Sequence, residues 1–208
     1  MVLRRTAAVA IGLLAMLTAA SAQAQDQSHK FNTAADAGVF WFFLYDTHAQ
    51  RIRVDPAPAA SLDIFQLADF SWARNMAAEV NYLFVQSRGY IYDRESPTVA
   101  KFYLTMHNAA ANIGYFFEGR KLHPYLFLGF GAGYFIFDPM KKGAVGKEVD
   151  PILNASPGVD YTVRDAPQDL LKRIDLGFRV RYFLIFEKRL VDTAADGLVL
   201  NARLNLRW

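Results

Sequence analysis

Cysteine is absent from the 208 residues, which excludes a disulfide-stapled miniprotein and a Cys-based zinc module. Net charge is scarce as well, with 23 Lys+Arg against 20 Asp+Glu. Together with 17 Phe, 10 Tyr and 3 Trp this excludes a disordered tail, which needs few aromatics and a large net charge. Beyond residue 24 no stretch reaches the 18 apolar residues of a transmembrane helix, and charges are spread throughout. A helical inner-membrane protein is therefore excluded. The length fits one domain, or two small ones, with ample core.

The first apolar run reads as a removable segment. Met1 to Arg5 is a short basic region, Ala7 to Leu17 is unbroken apolar, and Ala22-Gln23-Ala24 supplies the small residues of an A-x-A cleavage site. The run is shorter than the ~20 residues that span a bilayer, so residues 1–24 are expected to be a signal peptide and 25–208 one domain. Discounting Arg4 and Arg5 takes 23 basic residues to 21 against 20 acidic, a net charge of +1. That leaves no basic field for nucleic acid. An exported chain without disulfides must find its stability in another device.

The dominant signal is a period of two. Leu198, Leu200, Ala202, Leu204, Leu206 and Trp208 alternate with Asn201, Arg203, Asn205 and Arg207, the pattern of a strand with one apolar and one polar face. Ile174 to Leu184 alternates with Arg173, Asp175, Gly177, Arg179 and Arg181, and Leu153 to Val163 alternates with Asn154, Ser156, Gly158, Asp160 and Thr162. Each has the ~11 residues with which a tilted strand crosses a bilayer. Tyr125 to Phe137 carries Gly129, Gly131 and Gly133 on one parity. Three interior glycines would cost a helix roughly 3 kcal/mol, whereas on one strand face they make room in a narrow curved sheet. Further strands are expected at Gly38 to His48, Leu62 to Trp72, Met76 to Gln86 and Lys101 to Phe117. In the last, Thr105 and His107 face outward, which requires a membrane interface or a register-resetting bulge.

The eight strands have short gaps near Ala73 to Asn75, Glu118 to Lys121 and Arg164 to Gln168. They alternate with long polar gaps at His48 to Ser61, Ser87 to Thr98, Asp138 to Asp150 and Phe186 to Gly197, as in an antiparallel up-and-down barrel. Alternation fits two architectures. A soluble lipocalin-like barrel puts its apolar face inside, and an outer-membrane barrel puts it outside. Aromatics near strand ends on the apolar parity (Trp41, Tyr45, Trp72, Tyr115, Tyr182 and Trp208), glycines on the opposite parity, and an aromatic last residue favour the membrane barrel. The lipocalin G-x-W signature is absent, since Gly38 and Trp41 are one residue too far apart.

The stretches Ala77 to Tyr82, His123 to Tyr134, Pro157 to Tyr161 and Leu200 to Trp208 resemble the small eight-stranded outer-membrane barrels of the OmpA-like or opacity-like family. The resemblance spans essentially all of Gln25 to Trp208 and rests on loose motifs. It implies an all-β transmembrane barrel in the outer membrane, in contact with outer-membrane lipids and lipopolysaccharide. Biogenesis would engage periplasmic chaperones and the barrel assembly machinery. The family's terminal targeting signal ends in Phe with Tyr two residues earlier; Leu204, Leu206 and Trp208 stand in its place. A monomer without cofactor or metal is expected.

With the polar parity inward, Asp46, Asp63, Asp69, Glu79, Asp160 and Asp175 share the lumen with Arg173, Arg179, Arg181, Arg203 and Arg207. Eight strands leave an interior that side chains just fill, so a salt-bridged plug is expected rather than the charged ring of a selective pore. Lipid A deacylases resemble this class and use a His-x-Ser pair. Here Ala109 follows His107-Asn108, the nucleophile is missing, and no catalytic site is expected. The expected role is structural or surface interaction through the long loops, where Lys141, Lys142 and Lys147 are candidates for lipopolysaccharide phosphates. The alternatives are a small channel, a lipid A-modifying enzyme and a soluble lipocalin-like binder.

Overall fold

The computed structural model describes residues 31–44, 50–67, 75–93, 99–140, 145–186 and 195–208. The expected signal peptide, together with Tyr45, Asp46, Asp69, Trp72, Lys141 and Lys142, lies outside these residues. Every element described is a strand: β1 Phe31–Leu44, β2 Gln50–Val54, β3 Ala57–Leu67, β4 Met76–Asp93, β5 Val99–Phe116, β6 Leu122–Pro139, β7 Gly146–Asp165, β8 Arg173–Ile185 and β9 Ala195–Arg207. All pairings are antiparallel: β1 pairs β3, β2 and β3 both pair β4, each later strand pairs the next in the chain, β9 pairs β1, and the sheet closes on itself.

Nine elements make eight staves, because β2 and β3 run one after the other along β4. Between the pairs Val54↔Gly89 and Ala59↔Val85, five steps on one chain oppose four on the other, the signature of a bulge. Pro56 and Pro58 fall there, without N–H groups for a ladder. Asp55 N instead donates to the Arg88 carbonyl at 2.8 Å, and Ser87 Oγ donates to the Asp55 carbonyl. A second register shift, between Thr162 and Arg164, ends the regular pairing of β7 and β8.

The strands exceed the lengths that alternation suggested. β4, β5 and β6 have 18 residues each and β7 has 20. Consequently much of the polar sequence expected as long loops is strand: the segment His48 to Ser61 contains β2 and the start of β3, and Ser87 to Thr98 contains the end of β4. The first strand likewise begins at Phe31, seven residues before Gly38, since Thr33, Ala35 and Ala37 give its outer face no large apolar mark.

The physical reason for these misplaced ends is that the pattern changes sense along each stave. In β4, Glu79 and Asn81 point inward beneath outward Val80 and Tyr82; farther along, Leu83 and Val85 point inward while Gln86 and Arg88 are exposed. In β5, Asn112 and Asn108 are inward, followed by Met106, Leu104 and Phe102, while Thr105 and Lys101 face out. The connections at the two ends are of similar length, five to eight residues for β3–β4, β5–β6 and β7–β8 and five to nine for β1–β2, β4–β5, β6–β7 and β8–β9, and not short against long as expected. The half at the Trp208 end is apolar outside and polar with aromatics inside; the other half is mainly the reverse. The contest between membrane-type and soluble-type barrels is thus resolved by height along one molecule. The outward apolar run of β4 from Met76 to Phe84 matches the ~9–11 residues of a bilayer crossing.

No register shift interrupts β5, so His107 and Thr105 sit at the edge of the apolar belt. His107 Nδ1 lies 2.7 Å from Tyr82 Oη, beside the Phe84 and Tyr134 rings.

Candidate functional site

The lumen is the candidate site because β1, β3, β4, β7, β8 and β9 all send charged side chains into it. Arg179 and Arg181 of β8 and Arg203 of β9 meet Asp36 of β1, Asp63 of β3 and Glu79 of β4, and all six are buried. Asp63 is the hub. It accepts from Arg179 Nη1 at 2.5 Å, from Arg203 Nη1 at 2.6 Å, from Arg181 Nη2 at 3.4 Å and from Asn81 Nδ2. Arg179 Nη2 also donates to both Glu79 oxygens at 2.8 and 2.9 Å, and Asn112 Nδ2 donates to Glu79 Oε1 at 2.8 Å. Asp36 accepts from Ser61 Oγ at 3.1 Å and lies 3.5 Å from Arg203 Nη1. Three guanidiniums against three carboxylates make the layer neutral, which offsets the several kcal/mol per ion that burial of charge costs.

Below this layer, toward the Trp208 end, one wall is aromatic and the opposite wall polar. Phe65, Phe116, Tyr125 and Phe127 pack ring on ring with centroids 5.4–6.5 Å apart. Their faces receive the arginines: Arg179 Cζ lies 5.2 Å from the Phe127 centroid and Arg203 Cζ 5.5 Å from that of Tyr125. Such contacts hold desolvated cations through the ring quadrupole. Tyr125 directly faces Gly158, and Phe127 faces Gly114. A Cβ on either glycine would collide with the ring.

On the polar wall, Asp175 accepts from Arg173 Nε at 2.6 Å and Thr162 Oγ1 at 2.9 Å, and lies 3.3 Å from Arg207 Nε. Asn205 Nδ2 bridges Asp160 at 3.1 Å and Asp175 at 3.3 Å. A cavity of about 350 Å³ opens at this end between the two walls, lined by Phe116, Glu118, His123 and Arg207 among others.

Above the ionic layer the lumen is an apolar core. Phe40, Leu83, Val85, Met106, Phe135, Ile152, Phe183 and Ile185 are among its buried members, joined by the inward carboxylates Glu148 and Asp150 of β7. Among the described residues, buried side chains occupy the lumen at each of these three levels.

The structure brings together Asp63, Glu79, Arg179, Arg181 and Arg203, and separates from them a second group of Asp160, Asp175, Arg173 and Arg207, linked by one long contact of 3.8 Å between Arg203 Nε and Asp160 Oδ1. The sequence reading missed Asp36, which precedes the expected first strand, and the apolar lumen. The spacing Leu83, Val85 after Glu79, Asn81 was its visible signal.

On the outer surface, Trp41 and Tyr182 flank Leu198 in one row near the end of the belt away from Trp208. Tyr115 lies near the other end, where Asn75 Nδ2 donates to its hydroxyl at 3.3 Å. Trp208 follows the last strand and its Nε1 donates to Thr33 Oγ1 at 3.3 Å; Leu204 and Leu206 point outward before it. Outward Tyr82, Tyr134, Phe117 and Tyr161 occupy the same two levels.

These features define a small closed antiparallel barrel of the outer-membrane type. Among solved structures, Neisserial surface protein A matches over 86% of this chain and 97% of its own, with a TM-score of 0.56 and 19% identity. The outer membrane protein OprG from Pseudomonas aeruginosa matches over 86% and 96%, with a TM-score of 0.58 and 11% identity. Both share the fold. No protein-family model matches the sequence, and no curated protein matches it.

Proposed function

We propose that this protein is an integral outer-membrane barrel with a closed lumen, acting as a structural or surface-contact element of the envelope. The observation that carries the reading is the stacked filling of the interior: an aromatic and polar floor, a neutral ionic layer and an apolar core. In this orientation the end that holds both termini of the barrel, Phe31 and Trp208, faces the periplasm and the opposite end the outside. The exposed apolar belt, with Val80 63% and Phe130 59% accessible, suits hydrocarbon.

Two measurements test it. Outer-membrane fractionation should recover the protein in a form whose gel migration shifts on boiling; a periplasmic, non-shifting protein would overturn the location. Reconstituted in planar bilayers it should give no stable conductance steps, whereas a persistent open state would favour the small-channel reading. A catalytic role is not part of this proposal: Ala109 stands where the deacylase-like arrangement needs its nucleophile, and unchanged lipid A masses with and without the protein are the expected result.

A further inference from the structure

The outer face changes abruptly where the apolar belt ends, and it does so unevenly around the barrel. On the β4–β5 seam the rows climb from Val80↔Ala111 and Tyr82↔Ala109 through Phe84↔His107 and Gln86↔Thr105 to Arg88↔Tyr103 and Tyr90↔Lys101. Arg53 of β2 extends the last row beside Tyr90. Arg53, Arg88 and Lys101 are exposed and interleave with tyrosines: Arg88 Cζ lies 6.0 Å from the Tyr103 centroid and Lys101 Nζ 5.9 Å from that of Tyr90. Elsewhere toward the same end, the described outward residues include Phe43 of β1, Leu198 of β9 and Phe186 just beyond β8.

We propose that this seam binds the phosphorylated headgroup of a glycolipid of the outer leaflet, lipid A, resting on the reading that the barrel spans the outer membrane. The vertical order of chemistry matches such an amphiphile. Ala109, Ala111 and Ala132 form a low apolar surface walled by Tyr82 and Phe130, suited to an acyl chain. His107, Gln86 and Thr105 stand where hydroxyl and amide groups begin. The three cations lie one and two rows higher, at the depth of the phosphates. Among the described side chains, the acids close by are Asp55, which is hydrogen-bonded to Tyr90, and Asp138, across from Tyr103 on β6. A basic residue near an anionic bilayer surface contributes about 1 kcal/mol, so three acting together correspond to a roughly 100-fold change in affinity.

The test uses the full chain in neutral-lipid nanodiscs, titrated with bisphosphorylated lipid A and followed by native mass spectrometry, with phosphatidylglycerol as competitor. The combined variant Arg53→Ser, Arg88→Ser, Lys101→Ser should lose about 100-fold in affinity. A charge-matched control at the opposite end, Arg120→Ser, Lys121→Ser, Lys172→Ser, should bind like the parent. Equal binding by both variants and the parent overturns the proposal, as does equal weakening in both or competition by phosphatidylglycerol as strong as lipid A itself. If the combined variant does not give the heat-shifted band of a folded barrel, the three single variants replace it. Each should then weaken binding about fivefold, and unchanged affinity in all three overturns the site. Fractionation and conductance of the parent are independent of these results, so failure here is distinguishable from failure of the membrane reading.

Discussion

The two halves of the barrel solve opposite problems with the same strands. At the Trp208 end the outer face is apolar and the inside holds charge; at the opposite end the outside carries Arg53, Arg88 and Lys101 and the inside carries Phe102, Leu104 and Phe135. A strand alternates between two environments whatever they are. When the environments exchange places, the sequence must exchange its parities. β4 does so between Tyr82 and Gln86, in the row where the apolar belt gives way to water.

The comparison breaks most completely at the hub of the ionic layer. Asp63→Ala should leave three guanidiniums with two carboxylates and destabilise the barrel by about 3–5 kcal/mol. The check is the denaturant midpoint for unfolding in micelles or bilayers. An unchanged midpoint would show that the neutral layer is not the source of stability in that half.

In the other half the equivalent test is a cavity. Phe183→Ala removes a fully buried ring from the apolar core and should cost about 3–5 kcal/mol, as in the interior of a water-soluble protein. Equal losses from Asp63→Ala and Phe183→Ala would show that each half depends on its own kind of filling.

The outside is probed by position rather than size. Val80→Arg, in the middle of the belt, should cost about 2–4 kcal/mol, whereas Gln86→Arg, at its edge, should cost about 0–1 kcal/mol. Equal costs would place the boundary of the belt elsewhere.

Among the changes to the interior, the smallest expected effect is steric. Gly114→Ala pushes a methyl into the Phe127 ring, and overpacking of this kind costs about 1–3 kcal/mol. Its signature would be a weakened Phe127–Arg179 contact, visible as a changed environment of the Arg179 side chain by NMR.

Much of this was legible before any coordinates. The inward positions of Asp63, Glu79, Arg179, Arg181 and Arg203 follow from parity alone, because a strand's period leaves a residue only two faces. The run of Gly129, Gly131 and Gly133 was readable as strand for the same reason, and in the structure these glycines face Asn112, Ala110 and Asn108 on β5. Asp36 was not legible, since its neighbours Ala35 and Ala37 carry no contrast. The upper staves were not legible as strand because their outward residues are polar and their inward ones apolar, which in isolation reads as an interrupted pattern followed by loop.

The sequence by itself determined the period, the staves and which side chains share a face, since these depend only on local backbone geometry and the apolar or polar character of successive residues. Tertiary structure decided where along each stave the outer environment changes, which arginine meets which carboxylate, and that the interior is filled above and below the ionic layer. Those depend on the register between strands distant in sequence. Closing β1 against β9 brings Asp36 opposite Arg203, a pairing 167 residues apart that no local pattern contains.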